Sequence, residues 1–210
     1  MKYQRVTTHL AETMSKLDVD KAMRDDYAKC ILADPQILAN IVKVIVPEFR
    51  EYSIKDIIPC IGETIVSLTV PEKLCIKIES DGTEDVDIED GKIIYDIRFP
   101  LYYNNRTIKI LVNVEAQKSI SYTKLGYHIE SRMVYYMARL VSSQKNVEFI
   151  KSNYDDIKPV RSIWICMDAN DDEDSINRIC LTQRNVYGKM MELRSIDKVQ
   201  SVIIRLRKRF

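Results

Sequence analysis

Two strand-like segments, each with one carboxylate in otherwise apolar surroundings, constrain this chain more than any other feature. They are residues 93–99, which contain Asp96, and residues 110–117, which contain Glu115. Burying an ionised carboxylate without a partner is unfavourable. An Asp and a Glu on adjacent strands therefore suggest a shared cation, and oxygen ligands of this kind suit a hard divalent metal.

Alternation along the second segment places three polar side chains on one face. Asn113, Glu115 and Gln117 are each two residues apart, so they project to the same side of a regular strand. If the two segments pair, Asp96 and Glu115 converge on a metal, with Gln117 close enough to orient a water or a phosphate. This pattern predicts nuclease chemistry. The alternative explanation is that both carboxylates are edge-strand residues that face solvent or an Arg.

The composition predicts one soluble domain and limits the metal site. The chain has 210 residues, of which 46% are hydrophobic and 30% are charged, as in ordinary globular proteins. Only His9 and His128 are present, so a site built from several histidines is excluded. Oxygen ligands favour Mg²⁺, with Mn²⁺ as a substitute.

The charge distribution is balanced overall but basic near the C-terminus. A net charge of +1 gives no global attraction for nucleic acid, so contacts with DNA must come from local clusters of Lys and Arg. The last 33 residues hold such a cluster: Arg178, Arg184, Lys189, Arg194, Lys198, Arg205, Arg207, Lys208 and Arg209. This basic tail either contacts phosphates or is an exposed edge left by an early end of the chain.

Cysteine spacing and hydropathy indicate the compartment. Five cysteines lie far apart, without a CxxC pair, so neither a zinc knuckle nor a disulfide framework is indicated. The first residues lack an apolar signal region, and no apolar run approaches the roughly 20 residues needed to cross a bilayer. We therefore expect a cytoplasmic protein without membrane contact.

The first half of the chain has a helical pattern followed by strands. Residues 1–25 predict an arm or a loose helix, and residues 26–46 predict two helical pieces broken at Asp34-Pro35, with Asp34 as the cap of the second piece. Asp26 and Lys29 are expected near the start of the first piece, where an acid favours the helix dipole. A helical turn at 53–58, short strands within 63–78, an acidic loop at 79–91 and a turn at Asn104-Asn105 are expected next.

The second half contains the clearest helix. Residues 127–144 have apolar side chains at helical spacing, and Arg132 and Arg139 lie seven residues apart on the charged side of this helix. Tyr135 and Tyr136 are expected to pack in the core. Residues 161–167 predict a buried strand and residues 168–174 an exposed loop, whereas residues 199–206 fit either a strand or a short helix. The resulting order is α-β-β-β-α-β.

Five segments together resemble a known family. They are residues 26–29 (DYAK), 94–99 (IYDIRF), 113–117 (NVEAQ), 152–157 (SNYDDI) and 162–167 (SIWICM). The chain is similar in these blocks to the PD-(D/E)XK nuclease family transposases, which are related to the recombination-promoting nucleases. The resemblance extends from about Asp26 to Met167.

This resemblance implies a fold, an activity and a set of site residues. The fold is α/β with a restriction-endonuclease-like PD-(D/E)XK core, a central mixed β-sheet flanked by helices. The activity is Mg²⁺-dependent cleavage of DNA by a cytoplasmic endonuclease acting in transposition or recombination. Asp96 and Glu115 would be metal ligands with the carbonyl of Ala116, and Gln117 would stand where many relatives have Lys. Arg98, Arg132 and Arg139 are candidates for contact with DNA.

The resemblance also implies domain boundaries, and one alternative function is left open. Residues 26–167 form the expected nuclease-like domain, preceded by the arm of residues 1–25 and followed by a basic extension, residues 168–210. Relatives often continue further, so this extension is expected to be a shortened form. The alternative is a non-catalytic module with the same fold that binds DNA or protein. A homodimer is left open, because proteins that cut both strands are often symmetric.

Overall fold

A computed structural model describes residues 21–67, 84–87, 91–104, 108–169, 173–193 and 196–207. Contacts divide the chain into two compact units, Met1–Arg98 and Phe99–Phe210, whereas the composition predicts a single domain. The first unit contains α1 (Lys21–Leu32), α2 (Pro35–Ile45), α3 (Ile54–Ile57), β1 (Ile65–Val66), β2 (Glu84–Asp87), β3 (Gly91–Ile94) and the start of β4 (Ile97–Tyr103). The second contains the rest of β4, β5 (Ile108–Gln117), α4 (Tyr122–Leu125), α5 (Ile129–Ser142), β6 (Val160–Ala169), β7 (Ser175–Cys180) and β8 (Val199–Arg207).

The start of α2 shows how local chemistry sets an element boundary. The Asp34 carboxylate accepts hydrogen bonds from the backbone amides of Gln36 at 2.9 Å and Ile37 at 3.4 Å. Pro35 occupies the first turn, where its missing N–H has no intrahelical partner to lose. The predicted break and the predicted cap are both confirmed. The helical turn expected at 53–58 is also confirmed by α3, which Ser53 caps.

Six strands form one mixed sheet in the order β1-β4-β5-β6-β8-β7. β5, β6 and β8 run parallel, while β7 is antiparallel to β8 at the edge. With the helices, this sheet confirms the predicted α/β class. β8 also resolves the ambiguity at residues 199–206, because hydrogen bonding to β6 on one side and β7 on the other favours the strand.

The segment around Asp96 differs from the predicted single strand. β3 ends at Ile94 and pairs with β2 in a separate two-stranded sheet, and Asp96 lies in a bend before β4. The chain leaves one sheet for another at this point, which interrupts the ladder. The prediction of an acidic loop at 79–91 is wrong at Glu84–Asp87, because the backbone of this segment pairs with β3. The loop prediction is also wrong at Gly91, which begins β3. The remaining residues of that loop and most of the strands predicted at 63–78 lie outside the described residues.

The helix α5 confirms the strongest periodic pattern in the sequence. It packs on β6 and β8, and it buries Ile129, Met133 and Leu140. Strands β5 and β6 confirm the strands predicted at 110–117 and 161–167. Of the turn predicted at Asn104-Asn105, Asn105 lies outside the described residues. Asn104 has a left-handed φ of 51°, a conformation that Asn tolerates better than most residues.

Three further observations concern the predicted extension and the compartment. β7 and β8 lie after residue 167 and complete the main sheet, while the predicted boundary itself stays a prediction. Cys30 is disulfide-bonded, which the cysteine spacing did not indicate. Within the described part of the chain, no helix is both long and apolar enough to span a membrane.

Candidate functional site

Asp96 forms a salt bridge with Lys29, which lies on helix α1 of the same unit. Lys29 of α1 places its Nζ 3.2 Å from Asp96 Oδ1 and 3.0 Å from Asp25 Oδ2. Burial lowers the pKa of Lys29, but the charges of Asp96 and Asp25 and their hydrogen bonds outweigh burial and raise that pKa above its ordinary value. The ammonium therefore stays charged at physiological pH.

The predicted place of Asp26 and Lys29 near the start of a helix is wrong. The described helix α1 begins at Lys21 and places Asp26 in its interior, where the residue is fully buried, while Lys29 lies in the last turn. The first turn of α1 is polar and weakly periodic, so apolar spacing did not reveal where the helix begins. The link from Lys29 to Asp96 joins residues far apart in the sequence, and only the five-block resemblance drew attention to Lys29.

Glu115 is buried in the second unit near the end of β5. Its residue surface is 3% exposed, and its two oxygens have different neighbours. The side-chain amide of Asn113 donates to Oε1 at 3.2 Å, and the Arg132 guanidinium lies 3.9 Å from Oε2. The expected alternation along β5 is confirmed, because Asn113 and Glu115 meet on one face.

Arg132 connects Glu115 to the other side chains of this cluster. Its guanidinium donates hydrogen bonds to Tyr136 Oη at 2.7 Å and to Gln117 Oε1 at 3.3 Å. It also lies 4.8 Å from the centroid of the Tyr136 ring and 5.3 Å from that of Trp164. Burial lowers the pKa of Arg132, but the hydrogen bond to Tyr136 and the charge of Glu115 raise it further than burial lowers it.

Gln117 is held from both ends of its amide. Its Nε2 donates to the backbone carbonyl of Ser119 at 2.9 Å, while its Oε1 accepts from Arg132. A neutral amide cannot supply the charge that Lys would place beside a phosphate, but here the Arg132 guanidinium lies next to it. A carboxylate, an amide and a guanidinium are therefore collected at the end of β5.

The other residues singled out in the sequence differ in burial and in their contacts. Arg98 places its guanidinium carbon 5.6 Å from the centroid of the Tyr95 ring. Arg139 is only 6% exposed, so its expected place on the exposed charged side of α5 is wrong. Tyr136 packs edge-on against Trp164, which confirms core packing for this residue, whereas Tyr135 is 43% exposed. The roles of Arg98, Arg132 and Arg139 in binding DNA stay predictions.

The available metal-ligating side chains limit how a divalent metal could be bound. Among the residues that the structure describes, no group of three or more His, Cys, Asp or Glu side chains is placed to hold a metal ion. A cation at Glu115 would therefore need amide or backbone oxygens as well. Asn113 offers one, because its Oδ1 is buried and accepts no hydrogen bond from the described part of the chain. The residues fit a hard cation in this respect.

Asp96 and Glu115 belong to different compact units, so the shared site predicted for them stays a prediction. Asn113 is predicted to share the face of Glu115, but the pattern indicates no role for it. Alternation was the available signal, and the unpaired amide oxygen became visible only in the folded sheet. Comparison with protein-family models, with curated proteins and with solved structures finds no match.

Proposed function

We propose that this chain is a Mg²⁺-dependent DNA endonuclease with a restriction-endonuclease-like PD-(D/E)XK core, acting in transposition or recombination. The observation that carries the proposal is the cluster of Glu115, Gln117 and Arg132 at the end of β5. The cluster offers a carboxylate for a metal, an amide that can orient water, and a cation for a phosphate. The resemblance to the nuclease family transposases adds Asp96 as the second metal ligand.

Each residue has a defined part in this proposal. Mg²⁺, when bound, would polarise a phosphodiester and lower the pKa of an attacking water. Glu115 would hold the ion with the Ala116 carbonyl, the resemblance implies Asp96 as a further ligand, and Gln117 would position the water. Arg132 provides the fixed positive charge that Gln117 lacks, since its hydrogen bonds to Tyr136 and Gln117 hold the guanidinium in place before substrate arrives.

The second candidate is a non-catalytic module of the same fold that binds DNA or protein. It is favoured by the loop of residues 181–193 between β7 and β8, where six large apolar side chains are more than half exposed: Leu181, Val186, Tyr187, Met190, Met191 and Leu193. Contiguous exposed apolar surface often marks an interaction site. The internal cation partners of Asp96 and Glu115 are also compatible with carboxylates that serve only structure.

Plasmid nicking by the purified chain tests the two candidates. We expect conversion of supercoiled plasmid to the nicked form in Mg²⁺ and Mn²⁺, and none in EDTA. Glu115→Gln and Asp96→Asn keep the shapes of the side chains but remove the charges, so each should lower the rate by roughly 100-fold or more. Glu192→Gln, in the exposed loop, is the control and should cleave like the parent.

The outcomes separate the candidates. A folded parent that does not nick DNA in either metal supports the non-catalytic module. Cleavage that is equally fast in the parent and in Glu115→Gln would mean that the activity belongs to another site or to a contaminant. Circular dichroism of each variant checks that the comparison is made between folded proteins.

A further inference from the structure

Asn113 is a buried polar residue of the second unit whose side chain is only partly satisfied. It is fully buried on β5, and its side-chain Nδ2 donates to Glu115 Oε1 at 3.2 Å. Its Oδ1 is also buried, and none of the described residues donates a hydrogen bond to it. Leaving a buried amide oxygen unpaired destabilises the folded state, so this oxygen calls for a partner.

The neighbouring strand β6 does not provide a hydrogen-bond donor to this oxygen. Ser162 of β6 is the register neighbour of Asn113, and its Oγ accepts a hydrogen bond from Trp164 Nε1 at 2.9 Å. The carbonyl oxygen of Ser162 accepts from Ser201 Oγ at 2.9 Å. By register, Asn113, Ser162 and Ser201 form a polar row across β5, β6 and β8. The side-chain oxygen of Asn113 has no hydrogen-bond partner among the described residues.

We propose that Asn113 Oδ1 is an additional ligand of the divalent cation held by Glu115, an inference that rests on the proposed function. A half-turn of the amide exchanges Nδ2 and Oδ1 and places an oxygen 3.2 Å from Glu115 Oε1, where the nitrogen now lies. Adjacent ligands of an octahedral Mg²⁺, at about 2.0–2.1 Å from the ion, are separated by roughly 3 Å. Two oxygens this close repel each other unless a cation lies between them.

The neighbours of Glu115 are arranged for this role. Its Oε1 faces Asn113, whereas its Oε2 faces the Arg132 guanidinium at 3.9 Å. One oxygen can therefore bind a metal while the other keeps its contact with Arg132, which is anchored by its hydrogen bond to Tyr136. The ligand class is a hard divalent cation, because the donors are a carboxylate and an amide oxygen.

Thermal unfolding with increasing Mg²⁺ or Mn²⁺ tests the assignment without measuring cleavage. A metal that binds the folded state raises the Tm, and we expect this rise in the parent and its loss in Glu115→Gln. Asn113→Leu should weaken the apparent affinity at least about 10-fold. Because this substitution removes the hydrogen bond from Nδ2 to Glu115 as well as the unpaired oxygen, its metal-dependent rise is measured from its own Tm in EDTA. Asn40→Leu, at an exposed position of α2, is the matched control and should respond to metal like the parent.

A crystal structure of the parent soaked in Mn²⁺ separates a ligand from a residue that only orients Glu115. Anomalous signal bonded to both Glu115 and Asn113 Oδ1 supports the proposal. An ion bonded to Glu115 while Nδ2 of Asn113 still faces Oε1 overturns it. A Tm rise that is lost in Glu115→Gln but kept in Asn113→Leu also overturns this inference while leaving the proposed function intact. If neither metal raises the Tm of the parent, the metal site of the proposed function fails as well.

Discussion

At Arg132, a single guanidinium contacts five side chains of the second unit, including Glu115 at 3.9 Å. It donates to Gln117, Tyr127 and Tyr136, and it lies over the ring of Trp164. A planar guanidinium can make these directed contacts together, whereas an ammonium is a point charge with a different geometry. The sequence placed Arg132 on the charged side of a helix, whereas its partners Gln117 and Trp164 come from strands β5 and β6.

Removing this guanidinium should weaken the folded state. We expect Arg132→Ala to lower the free energy of unfolding by about 1–3 kcal/mol, because it leaves partly buried partners unpaired. Arg132→Lys should recover only part of this loss. Urea unfolding followed by the fluorescence of Trp164, the only Trp of the chain, provides the measurement.

The exposed Arg184→Ala controls for the loss of one positive charge. It should change the free energy of unfolding by less than about 0.5 kcal/mol, as most surface substitutions do. An Arg132→Ala variant as stable as Arg184→Ala would show that the contacts of Arg132 contribute nothing to stability.

At the scale of elements, Gln144 ties the end of α5 to the segment before β6. Its Nε2 donates to the carbonyls of Leu140 at 3.2 Å and Lys158 at 3.1 Å, and its Oε1 accepts from the Lys158 amide at 2.8 Å. The residue is 1% exposed. The side chain thus satisfies backbone groups that the helix end and the loop leave without partners.

Substitution of this side chain should destabilise the junction. Gln144→Leu keeps a similar volume but removes all three hydrogen bonds, so we expect the free energy of unfolding to fall by about 1–3 kcal/mol. Hydrogen exchange of the Lys158 amide should accelerate in the same variant.

Gln183→Leu provides a matched comparison for this prediction. Gln183 also bonds to backbone groups, at Met191 and Leu193, but in an exposed loop where water can replace the lost partners. Its effect should stay below about 0.5 kcal/mol. Equal effects of the two substitutions would contradict the importance of burial at Gln144.

At the scale of the whole molecule, Cys166 makes stability depend on alkaline pH. Burial raises the pKa of its thiol from the ordinary value of 9.0 to about 11 in the folded protein. Between these two values the unfolded chain loses the thiol proton while the folded chain keeps it. The folded state then binds more protons, so stability must fall as the pH rises from 9 towards 11.

Chemical denaturation at a series of pH values from 7.5 to 10.5 measures this dependence. The parent should lose stability above about pH 9, and Cys166→Val should show a smaller decline because it cannot titrate. Cys180→Ala retains Cys166 and should decline like the parent. An unchanged slope in Cys166→Val would assign the alkaline loss to other groups.

Local patterns in the sequence determined the elements that depend on near neighbours. The periodicity of α5, the apolar runs of β5 and β6 and the cap at Asp34 were all predictable, because each is decided within a few residues. The face shared by Asn113 and Glu115 was predictable for the same reason, since alternation is a property of the strand alone.

Tertiary structure decided what depends on partners that are distant in the sequence. The strand identity of β8 required ladders on both sides, and the bend at Asp96 required a second sheet for β2 and β3. The salt bridge from Lys29 to Asp96 and the burial of Arg139 are of the same kind. The sequence by itself determined which carboxylates and amides this protein presents, whereas folding alone determined which cations and hydrogen-bond donors face them, because such pairings depend on distance in space.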